Sequence, residues 1–372
     1  MSVKGHASNE MEQNYRRAKD LSQEHSGSVH QFRAIWGFWA FHHVRGQLAN
    51  ARELAENLLS LAHREQSSDL LIEAHRDLGS TYFFLGRFDE ARTHLLSAKS
   101  LHGPNQHRSH ALLYAQDPGI TAGCYLARTL WILGEVEQAE TLALEAIGMA
   151  RELEHPFTRV FTLVYLSWIY STFRNANRTL ELTNEAIAVS TQYSFALGLA
   201  LATAFQGWAL AANGQEEGLG KLINGLSAMR ATGGDLNTTF TLALLAELYL
   251  RKKRIDEGLA AIEEAQKLAV TREELFWQAE LFRLKGELLL GQSDQSVHAA
   301  EQCLCEALKI AQDQHAKMLE LRAATSLAKL WGKLNKLEDA KRILSSVYSR
   351  FTEGVDNRDL IEAKIVLQQL SV

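Results

Sequence analysis

The sequence predicts an all-α fold, a right-handed superhelix (an α-solenoid) of about eight antiparallel helix pairs. Two features of composition favour helices: the chain of 372 residues has only three prolines, and Ala, Leu, Glu, Gln and Arg are abundant. A third observation, small residues that recur with a period of about 40 positions, predicts that the helices are repeated in pairs.

Small residues mark the proposed start of each second helix. Successive markers are 39 to 42 positions apart, except for one step of 48 between Ala91 and Ala139. Apolar or small residues follow each marker after four and seven positions, and these offsets fall on one face of a helix. We therefore expect this face to pack closely against the first helix of its pair. The eight markers are Ala51, Ala91, Ala139, Thr179, Gly218, Gly258, Ala300 and Ala340.

The proposed first helices follow a matching rule, with a small residue about twelve positions before the marker and a larger side chain three positions later. Gly79 followed by Tyr82 and Ser167 followed by Tyr170 are clear cases. A small residue opposite a large one lets two helices interlock. Gln206 fits the rule poorly, and a shift by one residue to the neighbouring glycine would repair it.

Residues 74–98 carry the clearest copy of the repeat. Leu78 and Tyr82 in the first helix and Ala91 in the second resemble the pattern of a tetratricopeptide hairpin, although His75 stands where that pattern has tryptophan. The period of about 40 residues exceeds the ~34 of that repeat, which indicates longer helices. In such an array each pair is stabilised mainly by its neighbours.

The chain divides into three predicted parts. Residues 1–27 are a polar N-terminus with a lone helix at 12–24, residues 28–352 are the tetratricopeptide-like array, and residues 353–372 carry a capping helix. The lone helix resembles the second helix of a pair whose first helix is missing. It is therefore either an N-terminal cap, or a sign that the chain is the tail of a longer protein.

The longest interruption of the array is at residues 102–119. Pro104 and Pro118 exclude a continuous helix there, because proline cannot donate a backbone hydrogen bond. Asp117 followed by Pro118 is typical of a helix start, with Asp as the N-cap and Pro at the first position. We expect a long loop on one rim of the array, followed by a new helix.

Composition and motifs exclude several classes of protein. No apolar run reaches the ~18 residues of a membrane helix, and the start lacks a signal peptide. A net charge of -5 and a pI near 6.3 argue against a general nucleic-acid binder. Three scattered cysteines make no disulfide framework and indicate a cytoplasmic location. Because no phosphate-binding loop, zinc-protease motif or nucleophile elbow occurs, we predict neither an enzyme nor a cofactor.

Two groups of residues invite a metal-site interpretation. Cys303 and Cys305 would point to nearly opposite sides of a helix, so we interpret them as buried thiols. Four histidines crowd the long loop and the helix before it, namely His94, His102, His107 and His110. No Cys, Asp or Glu is spaced to complete a ligand set with them, and a solvated loop is the preferred interpretation over a metal site.

First-helix positions that face away from the partner helix are the candidate binding residues. In tetratricopeptide arrays these positions line the concave groove. The set combines aromatic side chains with Arg, residue types that are enriched at interaction hot spots, and the alternative is an ordinary solvated face. The candidates are Arg76, Phe83, Arg128, Trp131, Phe161, Trp168, Glu247, Arg283, Glu287, Arg322 and Lys329.

Longer segments resemble the C-terminal helical-repeat region of bacterial multidomain signalling proteins. Those proteins join a class III adenylate or guanylate cyclase domain to an AAA-like or STAND-type ATPase and then to such an array. The segments are YAQDPG at 114–119, HPF at 155–157, RATGGDL at 230–236, LALLAELY at 242–249, ELFRLKGELLL at 280–290, LELRAATSLAKLW at 319–331 and VYSRFTEGVDNRDLIEAK at 347–364. The resemblance implies that the metal-binding and phosphate-binding residues of those proteins would lie upstream of this sequence.

Two functional hypotheses follow. The first is a non-catalytic interaction and regulatory module that binds a protein or peptide partner in its concave groove, with an ATPase or cyclase domain as one candidate partner. The alternative is a small-molecule sensor for a sugar or metabolite that controls an upstream ATPase or cyclase. The maltose-type transcription activators, which bind a sugar with a similar superhelix, keep the alternative open. Neither hypothesis involves nucleic acid or a membrane.

Overall fold

The computed structural model describes residues 28–103, 111 and 113–371, and within these ranges it contains seventeen α-helices. They are α1 (Ser28–Val44), α2 (Leu48–Arg64), α3 (Ser68–Phe84), α4 (Phe88–Leu101), α5 (Pro118–Leu133), α6 (Val136–Glu152), α7 (Pro156–Thr172), α8 (Ala176–Tyr193), α9 (Ala196–Ala212), α10 (Glu217–Ala231), α11 (Thr238–Arg251), α12 (Ile255–Arg272), α13 (Gln278–Gln292), α14 (Val297–Asp313), α15 (Lys317–Lys333), α16 (Leu337–Tyr348) and α17 (Arg358–Gln369). A 3-10 turn, Asp294–Ser296, precedes α14. The helix predicted at 12–24 lies outside the described residues.

Consecutive helices of the described chain form eight antiparallel pairs, from α1–α2 to α15–α16. First helices of neighbouring pairs also touch, as α5 does with α3 and α7. The last helix, α17, packs against both α15 and α16. With no strand in the described ranges, this arrangement confirms the predicted α-solenoid of tetratricopeptide-like pairs.

Burial of the small residues confirms the repeat register. All eight markers are buried, and so are the residues four and seven positions after each of them. The first helices show the complementary pattern, because a Cβ on Gly79 would lie 2.5 Å from the Leu95 Cγ. Small residues on both helices therefore let each pair pack at close range.

The pair α9–α10 shows the closest approach of two helix backbones. A Cβ on Gly207 would lie 2.3 Å from the Leu222 nitrogen, and one on Gly218 would lie 2.3 Å from the Ala211 nitrogen. Gln206 instead points sideways, where its amide group donates to Asn184 at 2.7 Å. The packing position is therefore the glycine, as the one-residue shift proposed from the sequence requires.

The loop predicted at 102–119 falls partly outside the described residues, and residues 111, 113 and 114 are helical rather than loop. The helix that follows this segment starts as predicted. Pro118 is the first residue of α5, and the Asp117 carboxylate accepts a hydrogen bond from the Ile120 amide at 2.7 Å. The cap satisfies an amide that has no partner within the first turn of the helix. His155 and Pro156 start α7 in the same way.

Successive turns of the superhelix touch each other. The carbonyl oxygen of Val44, the last residue of α1, accepts hydrogen bonds from the amides of residues 235–236 at 3.0 and 3.1 Å. The carbonyl of Phe84, the last residue of α3, accepts from the amides of residues 275–276 at 2.8 and 3.1 Å. Carbonyls that have no partner within their own helix are thus satisfied by the following turn.

The same contact continues towards the C-terminus. The carbonyl of Thr172, the last residue of α7, accepts from the Arg322 guanidinium at 2.7 Å. Gly134, with a φ of 90°, ends α5, and a Cβ there would lie 3.0 Å from the Phe351 ring. A residue without a side chain is required at this turn, both for its left-handed backbone and for the close approach of the next turn.

No helix within the described ranges combines the length and the hydropathy needed to cross a lipid bilayer.

Gly207→Ala is expected to lower the free energy of unfolding by roughly 1–3 kcal/mol, because its methyl group would meet the α10 backbone. Gly220→Ala in α10 is the matched control, since a Cβ there meets nothing within 4 Å. The control should leave stability unchanged or raise it by up to about 1 kcal/mol. Urea unfolding followed by circular dichroism measures both, and equal effects would contradict the packing of α9 on α10.

Candidate functional site

The inner faces of the first helices meet along the superhelix axis, and this axial surface is the candidate site. All eleven candidate residues lie on first helices, in two groups. The N-terminal group, on α3, α5 and α7, consists of Arg76, Phe83, Arg128, Trp131, Phe161 and Trp168. The C-terminal group, on α11, α13 and α15, consists of Glu247, Arg283, Glu287, Arg322 and Lys329.

The N-terminal group is buried rather than open to solvent. Phe161 is half-buried, and the other five side chains are at most 1% exposed, namely Arg76, Phe83, Arg128, Trp131 and Trp168. The reason is the contact between turns, which places α11 and residues 274–277 over the inner face of α3, α5 and α7. The open groove expected from the sequence is closed at this end, and a binding role for these residues stays a prediction.

Rings from two successive turns form an axial aromatic cluster. Its members are Phe83, Tyr125, Trp131, Trp168, Phe240, Phe276 and Trp277. Phe83 and Phe276 are 5.2 Å apart between ring centres, and Trp168 is 5.3 Å from Phe240. These distances are typical of favourable ring pairs, so the cluster holds the two turns together as a hydrophobic core.

Arg128 lies inside the axial aromatic cluster. Its guanidinium carbon is 4.3 Å from the centre of the Trp168 ring and 4.4 Å from that of Phe83. Its Nη2 donates a hydrogen bond to the Asn237 Oδ1 at 3.2 Å. Burial disfavours the charged form and lowers the pKa of Arg128 to about 10, which still leaves the side chain charged at neutral pH.

Arg76 is equally buried, but it has carboxylate partners. Its Nη2 lies 2.8 Å from the Asp77 Oδ1 and also contacts Glu73, and its guanidinium stacks over Trp39 at 4.6 Å. Burial alone would lower the pKa of Arg76, but Asp77 and Glu73 outweigh it and raise the pKa. The two arginines of the N-terminal group therefore differ: carboxylates neutralise the charge of Arg76, and Arg128 forms no ion pair with a carboxylate among the described residues.

An inter-turn ion network occupies the C-terminal half of the axis. It consists of Arg174, Glu280, Arg283, Arg322, Asp359 and Glu362. Arg322 and Arg174 both contact Asp359, at 2.8 and 3.0 Å, and Arg283 contacts Glu280 at 2.8 Å. The network joins the end of α7 to α13, α15 and α17.

Three candidates form the accessible rim of this half. The side chains of Glu247, Glu287 and Lys329 are 26%, 29% and 44% exposed. Lys329 contacts Glu362 of the ion network, and Glu287 contacts Arg283 at 3.6 Å. A small, partly open cavity of about 30 Å³ lies beside Glu247 and is lined in part by Arg174, Glu280, Arg283 and Arg322 of the network.

Basic side chains of the network and its rim keep the carboxylates of Glu280 and Glu362 ionised. Burial alone would raise the pKa of Glu280, but Arg283 and Arg322 outweigh it and lower the pKa to about 2. Burial also opposes ionisation of Glu362, and Lys329 and Arg174 lower its pKa to about 2. Both carboxylates are therefore ionised at neutral pH and depend on their basic partners.

The described residues contain no group of three or more His, Cys, Asp or Glu side chains placed to hold a metal ion. His107 and His110 of the histidine group lie outside the described residues. Cys303 is half-buried, but Cys305 is exposed, so the expectation of two buried thiols is wrong for Cys305. Each residue of an α-helix is rotated by about 100° from the one before it, so two residues that are two positions apart point in nearly opposite directions. Only one of Cys303 and Cys305 can therefore face the packed side of the helix.

Sequence reasoning missed the residues that close the axis. Asn237, Glu274, Phe276 and Trp277 come from the turns that precede α11 and α13, not from the repeat face of a helix. Two consecutive aromatic residues in a connecting turn were the available signal. The sequence pattern places Asp359 only in the C-terminal helix, and no motif pairs it with Arg322.

Comparison with known families supports tetratricopeptide repeats in this chain. The model of a family described as tetratricopeptide repeat matches residues 72–96 and 121–145. These segments lie within the pairs α3–α4 and α5–α6. The match includes the hairpin in which the pattern is clearest in the sequence, and the comparisons indicate no catalytic family.

Several solved structures have a similar fold. A Rap protein complexed with Competence and Sporulation Factor has a TM-score of 0.62 at 16% identity, over 97% of this chain and 98% of that chain. A signal transduction ATPase with numerous domains and a tetratricopeptide repeat sensor, from Pyrococcus horikoshii, has a TM-score of 0.44 at 15% identity, over 97% of this chain and 55% of that chain.

A curated relative is much longer than the region that it shares with this chain. An uncharacterised protein of Rhizobium meliloti (strain 1021) is 21% identical over 303 residues. The match covers 80% of this chain and 29% of the relative, so the chain spans less than a third of that protein.

Acid is expected to weaken the inter-turn ion network. Because the folded-state pKa of Glu280 is about 2 against an ordinary 4.5, its stabilisation is present above pH 4.5 and lost as pH falls towards 2. Glu280→Gln should therefore lower the free energy of unfolding at neutral pH by on the order of 3 kcal/mol, and the difference from wild type should shrink in acid. Urea unfolding across this pH range measures it, with Glu338→Gln, 93% exposed, as the control. A difference from wild type that does not change with pH would contradict this assignment.

Proposed function

We propose that this chain is a non-catalytic regulatory module whose axial surface binds a protein or peptide partner. The observation that carries the proposal is the continuity of the axial surface, from buried Arg and Trp side chains at one end to a charged rim at the other. Arg and Trp are the residue types that dominate binding energy at interfaces. The rim supplies groups of both signs that a partner can reach first.

The closed axis defines what such a partner would have to displace. The turns are joined by backbone hydrogen bonds, by ion pairs and by stacked rings, all of which a peptide could replace with contacts of the same kind. An extended segment offers backbone donors to the carbonyls of Val44 and Phe84 and side chains to the rings. Partner binding would then accompany separation of the turns.

The comparisons support a setting for this activity. The Rap protein that shares the fold was solved in complex with Competence and Sporulation Factor, which is in line with ligand binding by a superhelix of this kind. The curated relative extends far beyond the matched region. We propose that the array is the sensing part of a larger cytoplasmic signalling system in bacteria, in which an ATPase or cyclase domain receives the signal.

The test uses a double variant of the rim that keeps the net charge. Tagged wild type and Glu247→Lys with Lys329→Glu are used to capture partners from a bacterial lysate, and the captured protein is identified and titrated as a purified component. The double variant should lose at least about tenfold in affinity, because both contacts would become repulsive.

The matched control exchanges two charges on the outer helix α16, Glu338→Lys with Arg342→Glu, whose side chains are 93% and 80% exposed. It should bind like wild type. If the rim variant binds the partner as tightly as the control variant does, the binding surface lies elsewhere.

A separate cavity favours small-molecule sensing as a second candidate function. It has a volume of about 200 Å³ and opens between α4, α5 and α6. Its lining is mainly apolar, with one amine and one imidazole: Lys99, His102, Gly119, Ile120, Gly123, Leu142, Ala146 and Met149. Such a mixture suits a small amphiphilic molecule with one polar end.

Filling this cavity tests the second candidate. A Cβ on Gly123 would have only the Ala146 Cβ near it, at 4.0 Å, and Gly123 lines the cavity, so the larger side chain of Gly123→Leu would occupy part of the cavity. A metabolite that raises the melting temperature of wild type should no longer do so in this variant, because ligands stabilise only the form that they bind. If the metabolite still raises the melting temperature of Gly123→Leu, it does not bind in this cavity.

A further inference from the structure

Five arginines lie along the axis, and one of them has no carboxylate partner. Four make ion pairs: Arg76 with Asp77 at 2.8 Å, Arg174 with Asp359 at 3.0 Å, Arg283 with Glu280 at 2.8 Å and Arg322 with Asp359 at 2.8 Å. Among the described residues, no carboxylate oxygen lies within ion-pair distance of Arg128. Arg128 is 1% exposed, so solvent does not take the place of a counter-ion.

Several buried hydrogen-bond donors at and near Arg128 have no acceptor among the described residues. Its Nη2 uses the Asn237 Oδ1, but its Nε has no acceptor among the described residues. The indole Nε1 groups of Trp131 and Trp168 are buried and also lack an acceptor. Trp168 lies next to Arg128, and the Trp131 ring is 5.6 Å from the Trp168 ring. Buried donors are nearly always paired in folded proteins, so three unpaired donors in this region require an explanation.

Aromatic rings compensate the charge only in part. The guanidinium carbon of Arg128 lies within 5.8 Å of six ring centres, those of Phe83, Phe84, Tyr125, Tyr165, Trp168 and Phe276. Ring faces attract a cation, but they accept no conventional hydrogen bond from its N–H groups. The rings therefore hold the cation in place and leave its donor groups available.

Glu274 is a buried carboxyl group close enough to raise the pKa of Arg128, but it makes no ion pair with Arg128 among the described residues. Glu274 is fully buried, and its Oε1 accepts from the Asn237 amide and the Thr239 hydroxyl, both at 2.9 Å. Burial raises the pKa of Glu274 to about 8, so the group is mainly neutral at neutral pH.

We propose that Arg128, with the indole N–H groups of Trp131 and Trp168, binds an oxyanion of the ligand, either a carboxylate or a phosphate. The inference rests on the proposed binding role of the axial surface and names the chemistry of its deepest part. Arg128 and Trp168 belong to one turn, whereas Asn237 and Phe276 belong to the next. An oxyanion therefore reaches Arg128 only between the turns, which couples its binding to their separation.

The experiment titrates the full-length chain with inorganic phosphate and, separately, with succinate, at constant pH and ionic strength against sodium chloride. Tryptophan fluorescence reports locally, because two of the donors are indoles, and calorimetry measures the affinity. A saturable change with either anion supports the proposal. Saturation by succinate alone assigns a carboxylate, and saturation by phosphate alone assigns a phosphate.

Two variants make the result specific to this site. Arg128→Met should abolish the saturable change, and it is expected to fold because it breaks no ion pair. Trp168→Phe keeps a ring and removes one donor, and it should weaken binding about tenfold. Arg342→Met, at an exposed position, is the control and should bind as wild type does.

Wild type without a saturable response to either anion would overturn the proposal. Undiminished binding in Arg128→Met would do so too, and if that variant does not fold, undiminished binding in Trp168→Phe decides in the same way. Because the titration needs no macromolecular partner, its failure is distinguishable from a failure of partner capture by the rim. A chain that responds to the anions but captures no partner would retain the oxyanion site and lose the proposed interaction role.

Discussion

A helix leaves its last carbonyl groups without partners, and in this chain three first helices find those partners one superhelical turn later. Val44, Phe84 and Thr172 each end a first helix, and each accepts hydrogen bonds from a residue of the following turn. The close spacing of turns follows from this contact, and so does the burial of the axial aromatic cluster. The geometry of the candidate site therefore depends on how tightly the superhelix is wound.

Packing within pairs could be predicted from the sequence, because it leaves a periodic trace. Marker residues such as Ala91 and Gly218 recur at a nearly constant spacing, and each is buried against its partner helix. Asp117 and Pro118 predicted a helix start from local chemistry alone, an N-cap side chain followed by a proline at the first helical position. The poor fit of Gln206 to the first-helix rule also led to a correct prediction, the shift by one residue to Gly207. Only a glycine permits the observed approach of α9 to α10.

Contacts between turns left no such trace. They join residues such as Phe84 with Phe276, or Arg174 with Asp359, whose separation in sequence reflects the pitch of the superhelix rather than the length of a repeat. The sequence therefore places the candidate residues on first helices, but it does not predict which residues cover them. An inner-face position is open or covered depending on the next turn, and a single hairpin contains no information about that turn.

The two halves of the axis use different physics. Around Trp168 the turns are joined by apolar rings, whereas Arg174 joins them by ion pairs with Asp359 and Glu362. Buried ion pairs add little net stability compared with apolar packing, but they select one arrangement over others. We therefore expect the ion pairs of the C-terminal half to contribute more to the alignment of the turns, and the apolar rings of the N-terminal half to contribute more to their stability.

Closure also limits how such an array can evolve. In an open solenoid, each repeat contacts only its neighbours, and a unit can be gained or lost at little cost. Here the end of α1 fits the turn before α11, and the end of α3 fits the turn before α13. Deletion of one helix pair between these contacts would shift the carbonyls of Val44 and Phe84 out of register with the amides that they accept from. The number of helix pairs per superhelical turn is therefore constrained, as the number of strands is in a closed barrel.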